Sequence, residues 1–237
     1  MRAGLSATVV RDIQVRRLGP VAYADALELQ KRLVEQRKAG AIPDQLLLLE
    51  HPPVITLGVR TRNERSHIVA AAHELERQGV EVFESGRGGD VTYHGPGQLV
   101  GYPILDLQPD RRDVHRYVRD LEEVLIQAAG TFGIDSRRSP GLTGTWVGDR
   151  KLAAIGVRIA RWVTSHGFAL NVSTNLAHFD LIIPCGLAGK GVTSIVELGR
   201  GPVAMAEVED AVVDAFCAVF NRNRVDQPAA QQPAENS

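Results

Sequence analysis

Two side chains are placed for covalent chemistry, Cys185 and Lys151, and one glycine-rich stretch could hold what they act on. Cys185 stands in D-L-I-I-P-C-G-L-A-G-K-G-V-T-S-I, between Pro184 and Gly186 where an apolar run ends. A bend leaving a strand exposes a side chain that packing in mid-strand would hide. A thiol of ordinary pKa, near ~8.5, is only a few per cent thiolate at neutral pH, so a nucleophilic cysteine needs a cation or base beside it. Lys151 opens K-L-A-A-I-G-V-R-I-A. Strict strand alternation puts it in register with Ala153, Ile155, Val157 and Ile159, on the apolar face. There it either snorkels to water or is held inward, where desolvation would bring its pKa down toward neutrality. The opposite face carries Ala154 and Gly156, small enough for a ligand to lie against the sheet. Cys217 falls inside a helical pattern and reads as a small core hydrophobe.

The holding segment runs from Gly86 to Gly101, G-R-G-G-D-V-T-Y-H-G-P-G-Q-L-V-G, and six of its residues are glycine. Glycine costs backbone entropy and adds nothing to packing, so an ordinary core strand excludes that density. What it offers is positive φ and close approach of the backbone. Arg87, Asp90, Thr92, His94 and Gln98 supply hydrogen-bonding groups between the glycines. A ligand cradle is the reading favoured here over a tight β-hairpin.

These groups must be carried by the surrounding elements. Residues 8–17 alternate as a strand, and Tyr23, Ala26, Leu27, Leu33 and Val34 mark a helix ending near Gly40. Leu46–Leu49 and Val54–Leu57 read as strands on either side of His51-Pro52-Pro53. A polar loop from Arg60 to Ser66, a helix Ala70–Gln78 and a strand Val80–Phe83 lead into the glycine segment, and Leu99–Leu107 follows as a strand. Val114, Tyr117, Val118, Leu121, Val124, Leu125 and Ala128 keep helical spacing. Ser136–Gly144 reads as a loop, followed by two or three strands to about Asn171 and a last helix over 205–220. Strands outnumber helices without regular alternation, which predicts an α+β fold. One domain is expected over 8–221. The polar, Pro-containing end, 222–237, is expected to be a disordered tail.

Composition narrows the function. Of 237 residues 44% are hydrophobic and 23% charged, and the net charge is −1. Such a balance fits a globular domain and argues against nucleic-acid binding. No apolar run is long enough to span a bilayer, and the stretch before Arg11 and Asp12 is too short for a secretory signal, so a cytoplasmic location is expected. Two cysteines do not make a disulfide scaffold, and seven histidines without H-x-x-x-H spacing predict no metal site. The dinucleotide fingerprint, the phosphate loop and the G-x-S-x-G elbow are all missing.

Taken together the segments resemble the lipoyl(octanoyl) transferase family, octanoyl-carrier-protein:protein N-octanoyltransferases. The resemblance rests on L-L-L-L-E-H-P-P-V-I-T-L-G, R-G-G-D-V-T-Y-H-G-P-G-Q-L-V-G-Y-P-I, R-K-L-A-A-I-G-V-R, H-G-F-A-L-N and I-P-C-G-L followed by V-T-S-I. They occur in the family's order across most of residues 10–220. Asn175 departs from the family, whose members more often carry an acidic residue there.

The resemblance implies an α+β fold with a mixed β-sheet flanked by helices, like the catalytic domain of biotin and lipoate protein ligases. It implies Cys185 as acyl-thioester nucleophile and Lys151 as the lysine that lowers its pKa and serves as general base. Substrate contacts are implied at Arg87, Gly88, Gly89, Asp90, Val91, Thr92, Tyr93 and His94, at Ala154, Ile155 and Gly156, and at Gly167, Phe168 and Ala169. The donor would be octanoyl-acyl carrier protein. The acceptors would be lipoyl domains of 2-oxoacid dehydrogenase E2 subunits and the glycine cleavage H protein. One thioester replaces another, so no ATP and no cofactor is needed. For His94 three roles stay open, a proton relay, an orienting donor or a turn residue, with orientation favoured. Lys190, Thr193 and Ser194 are expected to support the Cys185 loop, and Arg60, Arg62 and Arg65 to help dock an acidic carrier. Two rivals remain: an ATP-dependent ligase on the same fold, and a non-catalytic acyl-binding module.

Overall fold

Leu46, Leu47, Leu48 and Leu49 are all buried, and alternate residues enter two different cores. A strand apolar on both sides belongs in the middle of a sheet covered on both faces. That is where this one lies in the computed structural model, which describes residues 10–61, 67–183 and 190–226. The N-terminal part comprises β1 (Arg11–Pro20), α1 (Tyr23–Lys38), β2 (Asp44–Glu50) and β3 (Val54–Leu57). Next come α2 (Ala72–Arg77), β4 (Glu81–Glu84), β5 (Thr92–His94) and β6 (Gln98–Ile104). The long helix α3 (Val114–Thr131) leads to β7 (Arg137–Ser139), β8 (Leu142–Val147), β9 (Arg150–Ala160) and β10 (Val163–Asn171). A 3₁₀ segment (Leu176–Leu181), β11 (Gly191–Val192), α4 (Met205–Phe220) and β12 (Arg222–Asp226) complete the described chain.

The main sheet has the order β12-β1-β2-β6-β10-β9-β8-β7, with β11 beside β9, and a small sheet has the order β4-β3-β5. Pairing is parallel at β12–β1 and β1–β2 and antiparallel from β2 to β7, so the sheet is mixed. The α+β expectation holds. On one face α3 and α4 pack Tyr117, Leu121, Val124, Val212 and Phe216 against Leu46, Leu48 and Leu170. On the other, α1 places Ala26, Leu33 and Val34 against Leu47, Leu49 and Val100. Helix α3 starts where Asp113 accepts a hydrogen bond from the Arg116 amide at 3.0 Å, a side-chain cap for an otherwise unpaired donor.

Two expectations are corrected. Ser136–Gly144, expected as a loop, contains β7 and the start of β8, joined through Gly141 at φ +74°. Only Pro140 and Gly141 form the hairpin turn, between Ser139 of β7 and Leu142 of β8. Residues 222–226, expected in a disordered tail, form β12 against β1. The reason is Arg222, whose Nε donates to Asp44 Oδ2 at 3.0 Å with both side chains buried. Asp44 Oδ1 also accepts from Arg37 Nε at 2.8 Å and from the Asp106 amide at 3.0 Å. A polar composition with one buried ion pair is enough to order the strand. Cys185, Arg62 and Arg65 lie outside the described residues, as does the tail after 226.

Candidate active site

Strand β9 is interrupted where the chemistry is expected. Thr145 of β8 faces Ala153, but the next residue, Trp146, faces Lys151, so Leu152 is an extra residue in β9. Such a β-bulge reverses the alternation beyond it. Leu152 and Ala153 both enter the α3/α4 core, and Lys151 therefore leaves the apolar face to which strict alternation assigned it. It lies on the side of Ala154 and Gly156. Lys151 Nζ sits 4.8 Å from the centre of the Trp146 ring, and burial pushes its pKa down to about 8. Lys190 approaches the same ring and pairs with Asp149, while the Thr193 amide donates to the Lys151 carbonyl at 3.0 Å.

The glycine segment between β4 and β5 is wedged between β3 and the edge of β9. Gly88 N donates to Val157 O at 2.9 Å, and Arg60 N to Gly89 O at 3.2 Å. A Cβ on Gly58 would lie 2.3 Å from Gly89 O, and one on Gly156 would lie 2.9 Å from Gly88 O. Glycine is required at both places by this close approach. Arg87 is buried without a carboxylate partner among the described residues. Its guanidinium donates to Thr56 O at 2.7 Å, to Thr56 Oγ1 from two nitrogens, and to Gly88 O at 3.2 Å. Asp90 accepts from the Val91 amide at 2.7 Å and contacts His67 Nδ1 at 3.0 Å.

These walls enclose a cavity of about 710 Å³. It is lined by Lys151, by Arg87, Gly88, Gly89, Asp90, Val91, Thr92 and His94, by Ala154, Ile155 and Gly156, and by Gly167, Phe168 and Ala169. Tyr93 is turned away. Its hydroxyl meets His178 Nδ1 at 2.6 Å and its ring packs on Phe179, inside the cluster that closes the small sheet. Arg60 also lines the cavity. Ser194 Oγ accepts from the Glu197 amide at 3.1 Å, and Asn175 Oδ1 accepts from the Ala177 amide at the start of the 3₁₀ segment. Among the described residues no three His, Cys, Asp or Glu side chains could hold a metal ion, and no helix is long and apolar enough to cross a membrane.

The cavity also includes Gln98 of the glycine segment, and it recruits Tyr23, Tyr102, His166 and Asn171, which residue spacing did not assign to the site. His166 and Asn171 were visible as the ends of H-G-F-A-L-N, and His51 as the centre of E-H-P-P. His51 Nε2 lies 2.7 Å from the Tyr102 hydroxyl, and its Nδ1 lies 2.7 Å from Val21 O. Burial pushes His51 and His166 down to about 4 and His94 to about 3, so all three rings are neutral at pH 7. A slot with small residues on its floor, Arg87, Asp90 and the neutral rings of His94 and His166 around it, and one half-buried lysine suits an apolar acyl chain ending in a reactive carbonyl.

The fold is the one shared by lipoate-protein ligases. The chain superposes on lipoate-protein ligase A bound with ATP at a TM-score of 0.72 and 14% identity, over 93% of this chain and 90% of that one, a likeness of fold. It matches the Lipoyl protein ligase A/B catalytic domain over residues 22–217 and belongs to that family. Within it, the chain is 54% identical over 223 residues to an octanoyltransferase of Myxococcus xanthus, covering 91% of this chain and 62% of that protein. It is 53% identical over 212 residues to an octanoyltransferase of Solibacter usitatus, covering 90% and 94%.

Proposed function

We propose that the protein transfers an octanoyl group from octanoyl-acyl carrier protein to a lysine of a lipoyl domain, through a thioester on Cys185. The activity is acyl transfer in protein lipoylation. The observation that carries it is the half-buried Lys151, with its pKa near 8, in the wall of the cavity that the glycine segment encloses. Similarity to octanoyltransferases over nine-tenths of the chain supports the same reading.

In this mechanism the Cys185 thiolate attacks the octanoyl carbonyl and a carbon–sulfur bond forms. The bond to the carrier's pantetheine sulfur breaks, and that sulfur leaves as a thiol with a proton from Lys151. The acceptor amine then attacks the acyl-enzyme. A carbon–nitrogen bond forms, the Cys185 thiolate leaves, and the amine proton passes to Lys151. Exchange of one thioester for another needs no activation by ATP. Octanoyl carbons lie along Ala154, Gly156 and Phe168, with the Gly88–Gly89 backbone over them. The reaction is placed in one catalytic domain and in the cytoplasm, with E2 lipoyl domains and the glycine cleavage H protein as acceptors.

Intact-mass analysis after mixing with octanoyl-acyl carrier protein tests the proposal. One octanoyl adduct, mapped to Cys185 and discharged by a lipoyl domain without ATP, is expected. An unmodified mass during turnover, or transfer that requires ATP and free octanoate, overturns it.

A further inference from the structure

A chain of side-chain amides runs from His94 to the backbone beside Lys151, and its polarity can be worked out from its ends. Asn171 Nδ2 donates to Thr193 O at 2.9 Å. A backbone carbonyl can only accept, so Asn171 Oδ1 is the atom left for Gln98, whose Nε2 donates to it at 2.9 Å. The second hydrogen of that Nε2 goes to another carbonyl, Tyr93 O, at 3.3 Å. Gln98 is therefore held at both hydrogens and presents Oε1 to His94 Nδ1, 2.7 Å away. An amide oxygen accepts only. The proton of the neutral His94 ring must sit on Nδ1, and Nε2 carries a lone pair. His94, Gln98 and Asn171 are all buried and all line the cavity, and Nε2 has no partner among the described residues.

We propose that Gln98 and Asn171 are positioning residues that lock His94 in its Nδ1–H tautomer, so that Nε2 accepts a hydrogen bond from the incoming primary amine. A locked acceptor is the wrong group to stabilise an oxyanion and the right group to hold an N–H. It aligns the amine lone pair with the acyl carbonyl while Lys151 takes the proton. Burial keeps the His94 ring neutral, and the groups around it among the described residues, Tyr23, His51, Arg87 and His166, include no carboxylate to hold a second proton. The role of the amine rests on the octanoyl-transfer reading; the tautomer does not.

Long-range ¹H–¹⁵N correlation of the full chain reads the tautomer directly. A pyridine-type Nε2 and pyrrole-type Nδ1 for His94 are expected, and the reverse assignment overturns the proposal. Gln98→Glu then replaces a donor by acceptors, letting His94 take a second proton. Single-turnover amine transfer should slow about five- to tenfold. It should slow several times more than loading from the carrier, and gain a new ionisation in its pH profile. Equal slowing of both half-reactions means a merely structural role and overturns the positioning claim. If the unsubstituted protein forms no acyl-enzyme, the octanoyl-transfer reading falls and the tautomer is judged by the spectrum alone.

Discussion

Lys151 and Trp146 face each other across the β8–β9 bulge, with the ammonium nitrogen 4.8 Å from the centre of the indole ring. The pairing explains how a lysine in a sheet can be half-buried with no acid paired to it among the described residues. The ring face offers weak electrostatic attraction, while the loss of water lowers the pKa. With a value near 8, roughly one molecule in ten carries the free amine at pH 7. Lys151→Arg keeps the charge but cannot give up its proton. Amine transfer should fall by at least about a hundredfold, and the wild-type rate should rise with pH through about 8. A Lys151→Arg variant with near-normal single-turnover transfer would exclude the lysine as base.

The same burial predicts a cost in stability, with a definite sign. Below pH 8 Lys151 is protonated whether the chain is folded or not, so the desolvation penalty is fully present. Between about 8 and the ordinary lysine value, the folded protein has released a proton that the unfolded chain still holds. Stability from this group therefore rises with pH across that window. Lys151→Met should raise the urea midpoint at pH 7, and its advantage over wild type should shrink by pH 9.5. An inactive variant that gains no stability at pH 7 would contradict this account.

Acyl-chain length should be set by the fit of Phe168 against Gly101. A Cβ on Gly101 would lie 2.1 Å from Phe168 Cζ, so Gly101→Ala must displace the ring. Phe168 lines the cavity, and its movement toward the slot shortens it. Competition between hexanoyl and octanoyl donors should shift toward the shorter chain by about tenfold, since each excluded methylene is worth roughly 1–3 kcal/mol. An unchanged preference would remove Phe168 from the acyl slot.

Much of this was open to sequence reading, and the failures share a cause. Helix α3 was legible because Tyr117, Leu121, Val124, Leu125 and Ala128 repeat at helical spacing. The cradle was legible because six glycines in sixteen residues have few other uses. The face of Lys151 was not, because alternation assumes an unbroken ladder and the extra residue, Leu152, looks like any other leucine. Nor were His51 with Tyr102, or Gln98 with Asn171, since each pair is built from residues 51 and 73 positions apart. Tyr93 shows the converse. It sits among residues that line the cavity, yet strand alternation turns it into the core of the small sheet.

Strand β12 supplies the last prediction. Arg222 and Arg37 share the Asp44 carboxylate, and both Asp44 and Arg222 are almost completely buried. A buried ion pair is a modest source of stability when intact, but removing one partner leaves the other charge uncompensated. Arg222→Ala should therefore destabilise the protein by about 3–5 kcal/mol. Asp44→Asn with Arg222→Met, which removes both charges, should recover a substantial part of that loss. Urea unfolding of the two variants against the parent measures the difference. Because β12 pairs with β1 at the edge opposite the cavity, the doubly substituted protein should retain amine transfer close to the parent rate. If Arg222→Ala unfolds at the parent midpoint, Asp44 is satisfied by Arg37 alone and the ordering of residues 222–226 needs another cause.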